Sequence, residues 1–188
     1  MAGKIQLLSD EVIGKIAAGE VVERPAAAIK ELVENSLDAG ASAVTVEIRD
    51  GGISYFRVTD NGSGIRGEDI RMAFERHATS KIRRTDDLFS IQTLGFRGEA
   101  LASIAAVAHV TCTTRTKADP SGIKVQNNGG TIESIEEAAC PEGTTFVVRD
   151  LFFNTPVRLK FLKKDVSEAN AVAGVVERVA LSHPGVSV

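Results

Sequence analysis

The chain has 188 residues, 43% of them hydrophobic and 25% charged, with a formal net charge of −3. That length suits one domain whose core needs no disulfide or metal staple, and the slight acidity removes a global electrostatic case for nucleic acid while allowing a local basic patch. Two cysteines, Cys112 and Cys140, match no metal or redox spacing and read as reduced structural residues. His109 and Cys112 sit three apart in an expected strand, on opposite faces, which argues against a shared metal. No apolar run reaches the roughly 18 residues of a membrane helix. No basic segment followed by an apolar run opens the chain, so the expectation is a cytoplasmic protein with no membrane contact.

Residues 10–18 read as a short helix with Ile13, Ile16 and Ala17 on one side. Pro25 suits the first turn of a second helix running to about Leu37, which Ala39-Gly40-Ala41 ends. Val44, Val46 and Ile48 alternate as in a half-buried strand, Asp50-Gly51-Gly52 is a hairpin turn signal, and 53–59 is the returning strand. Residues 67–77 look helical, with Ile70, Ala73 and Phe74 inward. Residues 78–98 are polar and read as a long loop, of the kind that is usually functional or disordered. A helix from Glu99 to about Val107 follows, then strands at 109–117, 122–127, 131–136 and 144–149, and a last helix over 166–182 stopped by His183-Pro184-Gly185. Val186-Ser187-Val188 looks like a strand just beginning, so the chain reads as a fragment of something longer. Helices, a hairpin, helices and then several strands make an α+β pattern, with helices on one face of a mostly antiparallel sheet.

Three features carry chemistry. At about 100° per residue, Ile29, Leu32, Val33, Ser36 and Leu37 share one side of the second helix, while Glu31, Glu34, Asn35 and Asp38 share the other. Glu31, Asn35 and Asp38 form a stripe roughly 10 Å long. A solvated acidic face would look the same. As a site, a carboxylate can take a proton from water and an amide oxygen can ligate Mg²⁺ one turn away.

The second feature is the turn Asp60-Asn61-Gly62-Ser63-Gly64-Ile65. It is either an ordinary turn or a place where Asp60 accepts a hydrogen bond from an exocyclic amine while the glycines let a flat base approach. Gly62-x-Gly64-x-x-Gly67 also spells a dinucleotide fingerprint, with Asp86 about twenty residues on, which offers an NAD-dependent oxidoreductase as a rival. The preceding strand is a hairpin arm ending in a charge, unlike the first strand of a βαβ unit.

The third is the loop. His77-Ala78-Thr79-Ser80-Lys81 brings hydroxyls and a cation into it, and Leu94-Gly95-Phe96-Arg97-Gly98-Glu99-Ala100-Leu101 closes it at a helix start, where backbone N–H groups favour phosphate. A flexible connector with a helix cap is the plain alternative. No GxxxxGK[ST] loop occurs, so any phosphate grip is of another kind. Gly143-Thr144-Thr145 can add a hydroxyl to the same pocket.

Taken in order, Glu31-x-x-x-Asn35-x-x-Asp38-Ala39, Asp60-x-Gly62-x-Gly64, the loop ending Gly95-x-x-Gly98, and Gly143-Thr144 resemble the GHKL ATPases. That superfamily contains gyrase B, the ninety-kilodalton heat-shock chaperone, histidine kinases and MutL. Within it the resemblance is closest to MutL mismatch-repair proteins, bacterial rather than eukaryotic. It is carried by Ile16-Ala17-Ala18-Gly19-Glu20-Val21-Val22-Glu23-Arg24-Pro25, by residues 31–41, by His77 to Ile82, by Gly95 to Leu101 and by Asp150-Leu151-Phe152-Phe153-Asn154-Thr155-Pro156-Val157-Arg158. At position 157 the family usually has Ala.

The resemblance implies a two-layer GHKL (Bergerat) sandwich over 1–188, with 78–98 as an ATP lid and a second, transducer domain absent. It implies that Glu31 is the general base, that Asn35 ligates Mg²⁺, that Asp60 reads the adenine amine and that Asp38 orders water. Gly62, Gly64 and Ile65 would frame the base. Thr79, Ser80, Lys81 and Thr144, with Leu94, Gly95, Phe96, Arg97, Gly98, Glu99, Ala100 and Leu101, would complete the nucleotide contacts. The implied function is Mg²⁺-dependent ATP binding and slow hydrolysis, with ATP driving homodimerisation and clamp closure in the full protein. DNA and a MutS-type mismatch-recognition protein would be partners. Family members place a phosphate-contacting lysine in the second domain, so weak or absent turnover is expected of this chain. The basic run Arg158, Lys160, Lys163 and Lys164 near Phe161 is either a solvated segment or part of a DNA-facing surface. The alternatives are another GHKL ATPase or a nucleotide-gated binding module.

Overall fold

The computed structural model describes residues 7, 18, 19, 21–79, 81, 94 and 98–188. The helix expected over 10–18 therefore lies outside the described residues except for Ala18, which is buried. Helix α1 spans Pro25–Asp38, with proline in its first turn, where a missing N–H costs nothing. Strands β1 (Val44–Arg49) and β2 (Tyr55–Asp60) are joined by a tight 3-10 turn over Asp50–Gly52. Asp50, Gly51 and Gly52 all adopt positive φ there, which explains the Asp-Gly-Gly signal. Helix α2 (Ala100–Ala106) leads into β3 (His109–Arg115), β4 (Gly122–Asn128), β5 (Thr131–Ala138) and β6 (Gly143–Arg149). A short α3 (Pro156–Leu159), not anticipated from sequence, precedes the long α4 (Asp165–Ser182).

The strands form one six-stranded sheet in the order β1-β2-β6-β3-β4-β5, every neighbouring pair antiparallel. Beyond β1, Ser187 makes a parallel bridge to Ala43, so the extended reading of 186–188 has a partner. The inward strand residues Phe56, Val58, Val110, Cys112, Val125 and Val148 meet Ile29, Leu32 and Val33 of α1, Ile104 of α2 and Val172 of α4 in one buried core. Each such side chain contributes on the order of 1.5–3 kcal/mol by leaving water. β5 buries no residue completely and carries Glu133, Glu136 and Glu137, charges that blunt an edge strand.

One expected element is mostly lost. Residues 67–77 do not form a continuous helix; only Met72–Phe74 make a 3-10 turn. Ile70 and Phe74 are buried as expected, but Glu75 is extended and His77 adopts φ 61°, which stops propagation. Three residues cannot repay the cost of helix nucleation, so the segment remains a string of turns.

A partly buried ion pair ties α4 to the start of α1. Arg24 donates from Nε (3.0 Å) and Nη2 (2.9 Å) to Glu168 Oε2, and the Lys163 N–H donates to the other oxygen at 2.9 Å. Glu168 is 1% exposed, so these donors replace its lost hydration.

Candidate functional site

The apolar stripe of α1 turns Ile29, Leu32, Val33 and Ser36 into the core. Glu31, Glu34, Asn35 and Asp38 are consequently left half-buried on the opposite side. Glu34 is engaged by Lys30 at 2.7 Å along the same helix. Asn35 and Asp38 turn to a different cation. Lys81 Nζ donates to Asn35 Oδ1 at 2.9 Å and to Asp38 Oδ2 at 2.5 Å. Asp38 Oδ1 accepts the backbone N–H of Leu94 at 3.1 Å.

The two ends of the 78–98 segment thus meet at one carboxylate. Thr79 Oγ1 accepts the Lys81 N–H at 3.2 Å. Gly98, at φ 63°, lies so close to Ala78 that a Cβ there would fall 2.4 Å from its carbonyl oxygen. His77 Nδ1 is 3.1 Å from Glu99 Oε1. Ala100 and Leu101 begin α2, and Leu101 packs against the core. Ser80, Gly95, Phe96 and Arg97 lie outside the described residues.

A second cluster surrounds Asp60 at the end of β2. Its Oδ1 accepts the N–H of Gly62 at 2.9 Å and that of Thr144 at 3.2 Å, and its Oδ2 accepts the Ser36 hydroxyl at 2.9 Å. The Ser36 proton is shared with Leu32 O at 3.0 Å. The turn that follows is clamped against the end of α1. Asn61 Oδ1 accepts the N–H groups of Ser42 and Ala43, and the Ser63 N–H donates to Ala39 O. A Cβ on Gly62 would meet Ala39 at 2.9 Å, and one on Gly64 would lie 2.2 Å from Arg115 O. Both glycines are therefore required by close backbone approach. The Ile65 N–H donates to Thr114 Oγ1 at 2.9 Å, and Thr114 Oγ1 lies 3.1 Å from Thr144 Oγ1. Below this cluster, burial raises the Cys112 thiol pKa well above its ordinary range, with the Asp60 carboxylate and Cys140 adding to the effect.

Helix α1 joins the two clusters, because Ser36 reaches Asp60 while its neighbours Asn35 and Asp38 reach Lys81. Two of the residues involved are not distinguished by sequence reasoning. Ser36 falls on the apolar face and Thr114 is one of several strand threonines. A polar residue on an inward-facing position is the available signal in both. The basic run is split: Arg158 lays its guanidinium over Gly19, Lys163 caps Glu168 through its backbone, and Phe161 is exposed. A cavity of about 610 Å³ beside Arg24, Arg158 and Phe161, and one of about 400 Å³ beside His109 and Phe153, include neither cluster.

The profile of the histidine kinase-, DNA gyrase B-, and HSP90-like ATPases matches residues 23–145, which span both clusters. The chain belongs to this ATPase family. Within it, the chain is 53% identical over 183 residues to the DNA mismatch repair protein MutL of Agathobacter rectalis, covering 97% of this chain and 28% of that protein. It is 55% identical over 184 residues to MutL of Caldanaerobacter subterraneus subsp. tengcongensis, covering 98% and 31%. Among solved structures, the Aquifex aeolicus MutL ATPase domain complexed with ADP superimposes with TM-score 0.69 at 36% identity, over 88% of this chain and 58% of that one. The N-terminal domain of a DNA repair protein gives TM-score 0.78 at 31% identity, over 93% and 50%. The chain spans about three tenths of the length of these MutL relatives, so it matches their ATPase region and not the whole protein.

The α+β GHKL fold expected from the sequence is thus present. The antiparallel pairing of β2 on both sides also removes the βαβ setting that the dinucleotide reading of Gly62-x-Gly64-x-x-Gly67 requires.

Proposed function

We propose that the site formed by α1 and the Asp60 turn binds ATP with Mg²⁺ and that the longer protein hydrolyses it slowly, with weak or absent turnover in this chain alone. The observation that carries this reading is the state of Asp60. Its carboxylate is held by three donors from three separate segments, Ser36, Gly62 and Thr144. A carboxylate is acceptor-only, so its remaining lone pairs suit an exocyclic amine such as that of adenine. Gly62, Gly64 and Ile65 would line the base. The ADP bound by the Aquifex aeolicus relative supports the same choice of ligand.

The residues present fit a divalent cation. Asn35 Oδ1 and Asp38 Oδ2 are hard oxygen donors that already share one positive charge, the Lys81 ammonium. Among the described residues no group of three or more His, Cys, Asp and Glu could hold a metal, so phosphate and water oxygens would complete the shell. Bound Mg²⁺ would supply neutralisation of phosphate charge. Asn35 would hold it, and Asp38 would help order water near the base. Glu31, one turn earlier, would take the proton of the attacking water. Thr79, Ser80 and Lys81, with Leu94 to Leu101, would surround the triphosphate as a lid over 78–98.

In the longer protein, ATP binding would drive homodimerisation and clamp closure during cytoplasmic mismatch repair, with DNA and a MutS-type protein as partners. Glu31→Ala in the longer protein is the test. Loss of turnover with ATP binding retained supports hydrolysis by this site, whereas unchanged turnover overturns it. Survival of nucleotide-driven dimerisation in that variant would identify a switch in which hydrolysis only resets the state. Calorimetry with and without Mg²⁺ tests the metal, since equal affinities would remove it from the site.

A further inference from the structure

The Lys81 ammonium engages the same oxygens that suit a metal. Its Nζ donates to Asn35 Oδ1 at 2.9 Å and to Asp38 Oδ2 at 2.5 Å, and the Lys81 and Asp38 side chains are 19% and 10% exposed. Glu34, on the same side of α1, is engaged by Lys30 instead. Asp38 and Lys81 together carry no net charge. A divalent ion ligated by Asn35 Oδ1 at about 2.1 Å would stand within roughly 5 Å of the ammonium on that oxygen, the sum of the two bond lengths. Asp38 supplies one negative charge against three positive ones there. Both side chains are mostly buried, so salt screens the repulsion less than at the surface.

We propose that Lys81 makes metal entry conditional on nucleotide: its ammonium turns a free divalent cation away from Asn35, and a cation is accepted only in the company of phosphate. This rests on the reading of Asn35 as the metal ligand. Phosphate reverses the balance, because a nucleoside diphosphate or triphosphate brings several negative charges, enough to hold the metal ion and the ammonium together. The site thereby selects metal-bound nucleotide over free metal. Removing the Lys81 charge leaves Asn35 Oδ1 and Asp38 Oδ2 without this ammonium, and the pair of oxygens becomes open to a free ion.

The experiment titrates Mn²⁺, which shares the hard-oxygen preference of Mg²⁺, into the 188-residue chain without nucleotide and reads the free ion by electron paramagnetic resonance. Lys81→Met is expected to tighten Mn²⁺ binding about tenfold, the scale of removing one unit charge roughly 5 Å from a divalent ion in water. Lys81→Arg keeps the charge and is expected to bind Mn²⁺ as the unaltered chain does. Adding Asn35→Ala to Lys81→Met should abolish the gain, which places the ion at Asn35. Should the methionine variant fail to fold, Lys81→Gln removes the same charge and the same gain is expected. A merely structural tie would leave Mn²⁺ binding unchanged or weaker in the charge-removing variants, and either result overturns the proposal. An equal gain in the arginine variant, or a gain that survives Asn35→Ala, overturns it as well. The metal reading is tested apart from this, since Asn35→Ala should weaken ADP binding more with Mg²⁺ than without. If it does so while Lys81→Met gains nothing, the metal reading stands and the proposal falls. Equal effects with and without Mg²⁺ remove the metal from Asn35 and the proposal with it.

Discussion

Oδ2 of Asp38 lies 2.5 Å from Nζ of Lys81, and the other oxygen of the same carboxylate accepts the N–H of Leu94. One side chain at the end of α1 thereby fastens both ends of a segment remote from it in sequence. Asp38→Ala leaves a largely buried ammonium without its counter-charge. The expected cost is about 1–2 kcal/mol in a urea titration. Lys81→Met should cost less, and the double variant should cost less than the sum of the two, with a coupling of about 1 kcal/mol. Simple additivity would show that the pair contributes nothing to stability.

Asp60→Asn separates shape from polarity. The amide oxygen can still accept from Gly62 and Thr144, and the amide nitrogen can donate to Ser36 Oγ, whose proton then goes to Leu32 O. Folding should survive, as read by circular dichroism. The group offered to the base becomes a donor in part, so ADP affinity should fall at least about tenfold in calorimetry. Unaltered affinity would remove Asp60 from base recognition.

Two glycines with the same backbone hand separate conformational strain from collision. Gly40 has φ 73° and open space where a Cβ would stand, with no atom within 4 Å, whereas at Gly64, φ 71°, a Cβ would lie 2.2 Å from Arg115 O. Gly40→Ala should cost about 1–2 kcal/mol from the left-handed conformation alone. Gly64→Ala adds displacement of β3 and should cost roughly 3 kcal/mol or more. Thermal unfolding reads the difference as a melting temperature lower by several degrees, at about 2–4 °C per kcal/mol for a chain of this size.

Cys112 and Cys140 are both free, the first buried and the second partly exposed. In the folded protein an alkylating reagent should modify Cys140 and spare Cys112, because the raised Cys112 pKa keeps its thiol protonated. The pH dependence follows from the same direction of shift. The unfolded thiol ionises near about 8.5. Above that pH the unfolded state loses a proton that the folded state retains, so this contribution to stability is complete below about 8.5 and declines as pH rises further. Cys112→Ala should flatten the alkaline slope of the unfolding free energy, and an unchanged slope would assign it to other groups.

The sequence by itself determined the secondary structure at its most periodic points and the residues worth testing. The α1 stripe is legible because a 3.6-residue period separates Leu32 and Val33 from Asn35 and Asp38. The hairpin is legible because Asp50-Gly51-Gly52 tolerate positive φ. The helix expected over 67–77 does not form because local apolar spacing carries no information about the extended Glu75 and the left-handed His77. What only the tertiary structure decided is which polar groups share a proton or a charge. Lys81 meets Asp38 from 43 positions away, and Thr144 meets Asp60 from 84. Periodicity describes one element against its own axis, whereas these contacts depend on how β2, β3 and β6 lie side by side under α1. The physical reason is that hydrogen bonds act over about 3 Å, a distance set by packing between elements and invisible along the chain.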